Sequence, residues 1–149
     1  MKVKVYVDGS KHPDKNICGY GFVVKVTNNP YKKDFKFGSS FKDGTVLEAE
    51  SKAIYEALKY VKNHFSKKDK IEIFSDNAIV RSYFYGKSRV LQNYSTNTIK
   101  YLKESSKMMD KNIKVKKIYS SRNTAAHNLA NKYRSLAEGK RELAYQYQI

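Results

Sequence analysis

Cysteine is almost absent from this 149-residue chain: Cys18 stands alone, which rules out an intramolecular disulfide and a zinc site built on cysteines. A reducing, cytoplasmic setting fits that usage. Long apolar runs are missing too. Met1 leads directly into KVKVYV without the apolar core of a signal peptide, and no later stretch reaches the length that spans a bilayer. The expectation is a soluble intracellular protein with no membrane partner. Repeats, low-complexity tracts and linkers are also lacking, so residues 1–149 read as one domain, whose tail 139–149 is either a short helical extension or frayed. Negative charge is scarce as well. Fourteen Asp and Glu face thirty Lys and Arg, giving a formal charge of +16, which points to a polyanionic partner. The lysines are scattered through all the expected elements rather than gathered in one amphipathic cluster, which favours nucleic acid over an anionic membrane. Thirteen tyrosines add rings that either stack on bases or fill the core. No obligate protein partner is evident, and a monomer is the default.

Hydropathy patterning supplies the elements. Residues 2–8 alternate Lys with Val or Tyr and run into the turn signal Asp-Gly-Ser, so the first strand is expected to end at Asp8. Strands around residues 19–27 and 35–41, separated by Asn28-Asn29-Pro30, extend it into an antiparallel meander. From Glu48 to His64, Ala53, Ile54, Ala57, Leu58 and Val61 mark an amphipathic helix. IEIFS is a fourth strand ending at Asp76, with a helix expected over 77–85. Ser95 or Thr96 opens another helix through Leu102, Ile113 and KVKKIYS form a fifth strand, and a last helix spans Thr124 to Glu138. The order is βββαβααβα, an α/β fold with a mixed five-stranded sheet and helices on both faces.

Three carboxylates fall at sheet or helix ends: Asp8, Glu50 and Asp76, with Glu48 as a second candidate on the helix. Singly, each has an ordinary explanation as a turn, helix-start or cap residue. Together they fit a different chemistry. Clustered carboxylates repel one another unless a cation compensates them, and hard oxygen donors suit Mg²⁺ or Mn²⁺. A pair of such ions supports in-line attack on a phosphodiester.

In this order the segments VYVDGS, GYGFVV, AESKAIYEAL, IFSDNAIV and NTAAHNLA resemble the motifs of the type 1 ribonuclease H family, over residues 3 to about 137. The resemblance selects Glu50 over Glu48, because Ala53, Ala57 and Leu58 then match the family spacing, and it sets His127 at the fourth ligand position. It implies a ribonuclease H-like fold, two ions held by Asp8, Glu50, Asp76 and His127, and hydrolysis of the RNA strand of an RNA·DNA hybrid. It also implies shape readout through 2′-hydroxyls and phosphates. Gly9, Ser10 and Asn77 beside the carboxylates, and the basic Lys87, Arg89 and Arg122, are the candidate nucleic-acid contacts; each also serves as an ordinary turn, cap or surface residue.

His127 departs from the family pattern. A neutral imidazole brings no negative charge and suits Mn²⁺ better than Mg²⁺, so Mn²⁺ is the expected preference if His127 is a ligand; the alternative is a helix-start histidine that touches no metal. The additional basic helix and the mobile loop of some members are also missing. Two other functions share these residues: a catalytically weak or inert hybrid or duplex-RNA binder of the same fold, and a related nuclease acting on DNA.

Overall fold

The computed structural model describes residues 1–27, 34–78, 83–85 and 94–138. Strands β1 (Lys2–Lys11), β2 (Ile17–Val26) and β3 (Phe35–Lys42) pair antiparallel, while β4 (Lys70–Ser75) and β5 (Ile113–Lys117) add in parallel on the other side of β1. The sheet order is β3-β2-β1-β4-β5. The expected meander and crossovers are thus present. One boundary differs in a way that matters for the site: β1 does not stop at Asp8 but continues to Lys11, because Asp8, Gly9 and Ser10 stay paired with Gly21, Tyr20 and Gly19 of β2. Asp8 therefore sits within a strand, paired to β2, rather than in a turn.

Two faces of the sheet are covered by different helices. On one face Val3, Val5 and Val7 of β1, Phe22 and Val24 of β2, and Ile73 and Val115 of the parallel pair form the core beneath helix α1 (Val46–His64). Ala53, Ile54, Ala57, Leu58 and Val61 of α1 are fully buried there, as their helical spacing requires. Helix α2 (Thr96–Met108) packs beside α1 and contributes Leu102. Helix α3 (Thr124–Glu138) lies on the opposite face, over β1, β2 and β3. The absence of a side chain at Gly19 permits this: a Cβ there would stand 2.2 Å from the Ala130 carbonyl oxygen.

Caps set the helix starts. Thr45 accepts from the Glu48 amide at 3.1 Å, so α1 begins two residues before Glu48. Ser95 caps α2 through the Thr98 amide, and its hydroxyl also donates to Glu48 Oε1 at 2.9 Å. The helix expected over 77–85 lies partly outside the described residues, at 79–82, with helical backbone at 78 and at 83–84. Lys87, Arg89 and the tail 139–149 also lie outside them. Among the described residues no helix is long and apolar enough to cross a membrane.

Candidate metal centre

Asp8, Glu50 and Asp76 converge: each offers one carboxylate oxygen, and these oxygens lie within 4.8 Å of one another. The convergence follows from local structure. Asp8 and Asp76 belong to neighbouring parallel strands, Asp76 directly after the last residue of β4. Glu50 is delivered by α1, and Gly9 lets α1 come close enough, since a Cβ at Gly9 would stand 2.5 Å from the Glu50 backbone nitrogen. Glu48, two residues earlier, is turned away and buried against the cap of α2, where Ser95 donates to it. That is the physical reason only one of the two glutamates joins the cluster.

Electrostatics mark the cluster as cation-seeking. Glu50 is 5 % exposed and its Oε2 has no hydrogen-bond partner. Burial first, and then the Asp8 and Asp76 charges, push its carboxyl up to about 9, opposed by a hydrogen bond from the Asn77 side chain. Asp8 is also raised, by burial and by Asp76, while the hydrogen bond from His127 works the other way. An orphaned buried carboxylate oxygen amid like charges is the environment a hard divalent cation relieves, so the donor set fits Mg²⁺ or Mn²⁺.

His127, in the first turns of α3, is next to the cluster, with Nδ1 3.0 Å from Asp8 Oδ2. Its other nitrogen, Nε2, is 3.1 Å from Asn131 Nδ2. Asn131 Oδ1 in turn accepts from Ser10 Oγ at 2.6 Å, and Ser10 Oγ accepts from Arg134 Nη1 at 3.0 Å. The ends of this chain fix its direction, because a guanidinium only donates and an ionised carboxylate only accepts. Donation runs Arg134 to Ser10 to Asn131 to His127 to Asp8, which assigns the His127 proton to Nδ1. In this arrangement both ring nitrogens are engaged, one of them with Asp8 itself.

The other sequence-selected residues have varied surroundings. Ser10 is buried in the network just described, and Gly9 lies against α1. Asn77 follows Asp76 and reaches Glu50. Arg122 is exposed at the end of a 3-10 turn, Ser120–Arg122, two residues ahead of α3. Asn131 and Arg134 escaped the sequence reading. Their signal was the i, i+4, i+7 spacing from His127, which puts the three on one helix face. Asn123 fastens the start of α3 to β1 by donating from Nδ2 to the Val7 carbonyl at 2.8 Å, which holds His127 against Asp8.

Comparison with known proteins agrees with this fold. The sequence family described as reverse transcriptase-like matches residues 6–133. No curated protein matches in sequence. Among solved structures, the N-terminal RNase H domain of Rv2228c from Mycobacterium tuberculosis superposes with a TM-score of 0.78 at 19% identity, covering 93% of this chain and 97% of that one. RNase H1 from the archaeon Halobacterium salinarum gives 0.75 at 17% identity, over 89% and 97%. LC11-RNase H1, solved in complex with an RNA/DNA hybrid, gives 0.71 at 15% identity, over 91% and 98%.

Proposed function

We propose, from the premise that this chain belongs to the reverse transcriptase-like family and has a ribonuclease H-like fold, that it is a metal-dependent endoribonuclease that hydrolyses the RNA strand of RNA·DNA hybrids. The observation that carries the reading is the carboxylate triad of buried Asp8 and Glu50 with half-buried Asp76, in which Glu50 Oε2 has no hydrogen-bond partner. Asp8, Glu50 and Asp76 would hold the ion or ions, with His127 beside them. Divalent ions in such a site supply Lewis-acid stabilisation of the charge that develops on the phosphate and on the leaving 3′ oxygen. The chain's own residues do the rest. The three carboxylates bind and orient, Gly9 and Asn123 hold α1 and α3 at the separation the cluster needs, and the basic surface retains the polyanion. Recognition through backbone and 2′-hydroxyls fits a protein whose excess charge is lysine rather than a base-reading arginine array. A monomer acting in the cytoplasm is part of the same reading.

The test is cleavage of a labelled hybrid with Mg²⁺ and with Mn²⁺, beside duplex DNA, duplex RNA and branched DNA. RNA-strand cleavage to 5′-phosphate ends, lost with EDTA and at least about 10²-fold weaker in Asp8→Asn or Asp76→Asn, is expected. No cleavage with either ion would sink the reading. One observation favours a second one: the position beside Asp8 carries a hydrogen-bond donor in place of a fourth carboxylate. In that case the protein is a hybrid-binding module with little catalysis, and Asp8→Asn binds as tightly as the parent while neither cleaves. Cleavage confined to DNA substrates would instead support a DNA nuclease.

A further inference from the structure

Helix α3 covers β1, β2 and β3, leaving the β4–β5 half of that face without a helix among the described residues. What occupies this half follows from strand register. Lys2 pairs with Lys70 and Tyr6 with Phe74 between β1 and β4, while Glu72 pairs with Lys114 between β4 and β5. Alternation puts all six on this same face of the sheet. The Tyr6 and Phe74 rings stack at 5.0 Å between centroids, which confirms that the two strands present the same face. Below them the strand starts and the adjoining loops enclose a shallow depression of about 570 Å³.

Its charge is lopsided. The two acids that line it are both engaged within the protein: Glu72 pairs with Lys2 at 3.5 Å and with Lys116, and Asp69 accepts from the Met1 ammonium at 2.9 Å. Lys68, Lys70, Lys111 and Lys114 line the same depression and have no ion pair among the described residues. These ammonium groups do not converge on one point. Lys70 and Lys114 stand on neighbouring strands, which lie about 4.8 Å apart with alternate residues about 6.6 Å apart along each, and Lys68 and Lys111 on the turns that lead into them, so the charges are spread over a surface. A compact anion would meet few of them, whereas a string of phosphates meets many. The array also lies on the face that carries Asp8, six residues or roughly 20 Å along β1 from Lys2.

We infer that this lysine face binds the phosphodiester backbone of a nucleic-acid strand that extends beyond the duplex held at the carboxylates. Lysine point charges attract phosphates without reading bases, so the contact adds affinity and no sequence preference. The inference rests on the proposed substrate only for the class of ligand, since binding here is independent of cleavage.

Fluorescence anisotropy in EDTA tests it, with a short labelled hybrid carrying or lacking a single-stranded extension of about ten nucleotides. In the parent the extension should tighten binding about tenfold or more. In the combined Lys68→Gln, Lys70→Gln, Lys111→Gln and Lys114→Gln variant that gain should vanish, and the slope of log affinity against log salt should fall by roughly 2 to 3. A control removing three charges from α2 on the opposite side, Lys100→Gln, Lys103→Gln and Lys107→Gln, should keep the extension effect; circular dichroism shows whether both variants are folded. Equal loss in the two sets, or a parent that ignores the extension, overturns the inference. So does a face whose lysines matter only for anionic phosphatidylserine vesicles. If the extension effect is lost only in the first variant and no hybrid is ever cut, the binding face stands and the cleavage reading fails.

Discussion

Replacing Glu50 with Gln should stabilise the metal-free protein, and the gain should grow with pH. Glu50 has its carboxyl pushed up to about 9 from an ordinary 4.5, so between those values the folded state holds a proton that the unfolded chain has lost. Stability therefore falls as pH rises through that window: it is fully present below about 4.5 and wholly lost above about 9. At 1.36 kcal/mol per pH unit the full penalty is roughly 6 kcal/mol, of which roughly 3 kcal/mol has accumulated by pH 7. Gln cannot ionise, so Glu50→Gln should lack this slope while leaving the packing of α1 on Gly9 unchanged. Urea denaturation in EDTA across pH 5 to 9 reads the difference directly, and a gap of about 3 kcal/mol corresponds to roughly 6 to 12 °C in melting temperature for a chain of this size. Saturating Mg²⁺ or Mn²⁺ should close the gap, because the ion binds the ionised form; at about a hundred times its dissociation constant it contributes ~2.7 kcal/mol. Parallel pH–stability curves for the parent and Glu50→Gln would refute the reasoning. So would a divalent-ion effect of equal size in both proteins.

Two further substitutions probe the frame around the carboxylates. Gly9→Ala forces a methyl group to within 2.5 Å of the Glu50 nitrogen, so it should cost about 1–3 kcal/mol in urea denaturation and cut hybrid cleavage by more than its loss of folded protein explains. His127→Asp should lower the melting temperature in EDTA, where a fourth carboxylate faces Asp8, and raise the Mg²⁺-supported cleavage rate relative to Mn²⁺; unchanged values of both would remove His127 from any role at the site.

How much of this was legible in the sequence depends on the range of the interactions involved. The element order and the two apolar helix stripes follow from local period and spacing, the choice of Glu50 from the family resemblance, and the burial of Ala53, Ala57 and Leu58 agrees with them. The end of β1 did not follow. Asp-Gly-Ser is turn chemistry taken alone, but Gly9 and Ser10 remain in the ladder because Tyr20 and Gly19, on the next strand, supply their partners. Strand pairing overrides local turn preference, and only the partner strand reveals it. The surroundings of Ser10 were hidden for the same reason. It reads as a residue beside the substrate, yet it is 8 % exposed, between Asn131 and Arg134, because α3 comes down on the glycines of β2 and buries that edge. Nothing near Ser10 in sequence announces a helix that begins more than a hundred residues later.

The same long-range packing bears on the histidine beside Asp8. A carboxylate at position 127 would add a fourth repulsive charge to a metal-free cluster in which Glu50 is already raised to about 9 and Asp8 is raised with it. His127 does the opposite, since its Nδ1–H donates to Asp8 and draws that carboxyl down. The donor chain from Arg134 through Ser10 and Asn131 holds the ring in the tautomer that can do so. A neutral imidazole thus lowers the electrostatic cost of the carboxylate cluster and, on the proposed two-ion reading, would offer no negative charge to a second cation. Metal affinity and metal-free stability are therefore opposed at this one position. An Mn²⁺ preference and a robust metal-free fold would be two consequences of the same side chain.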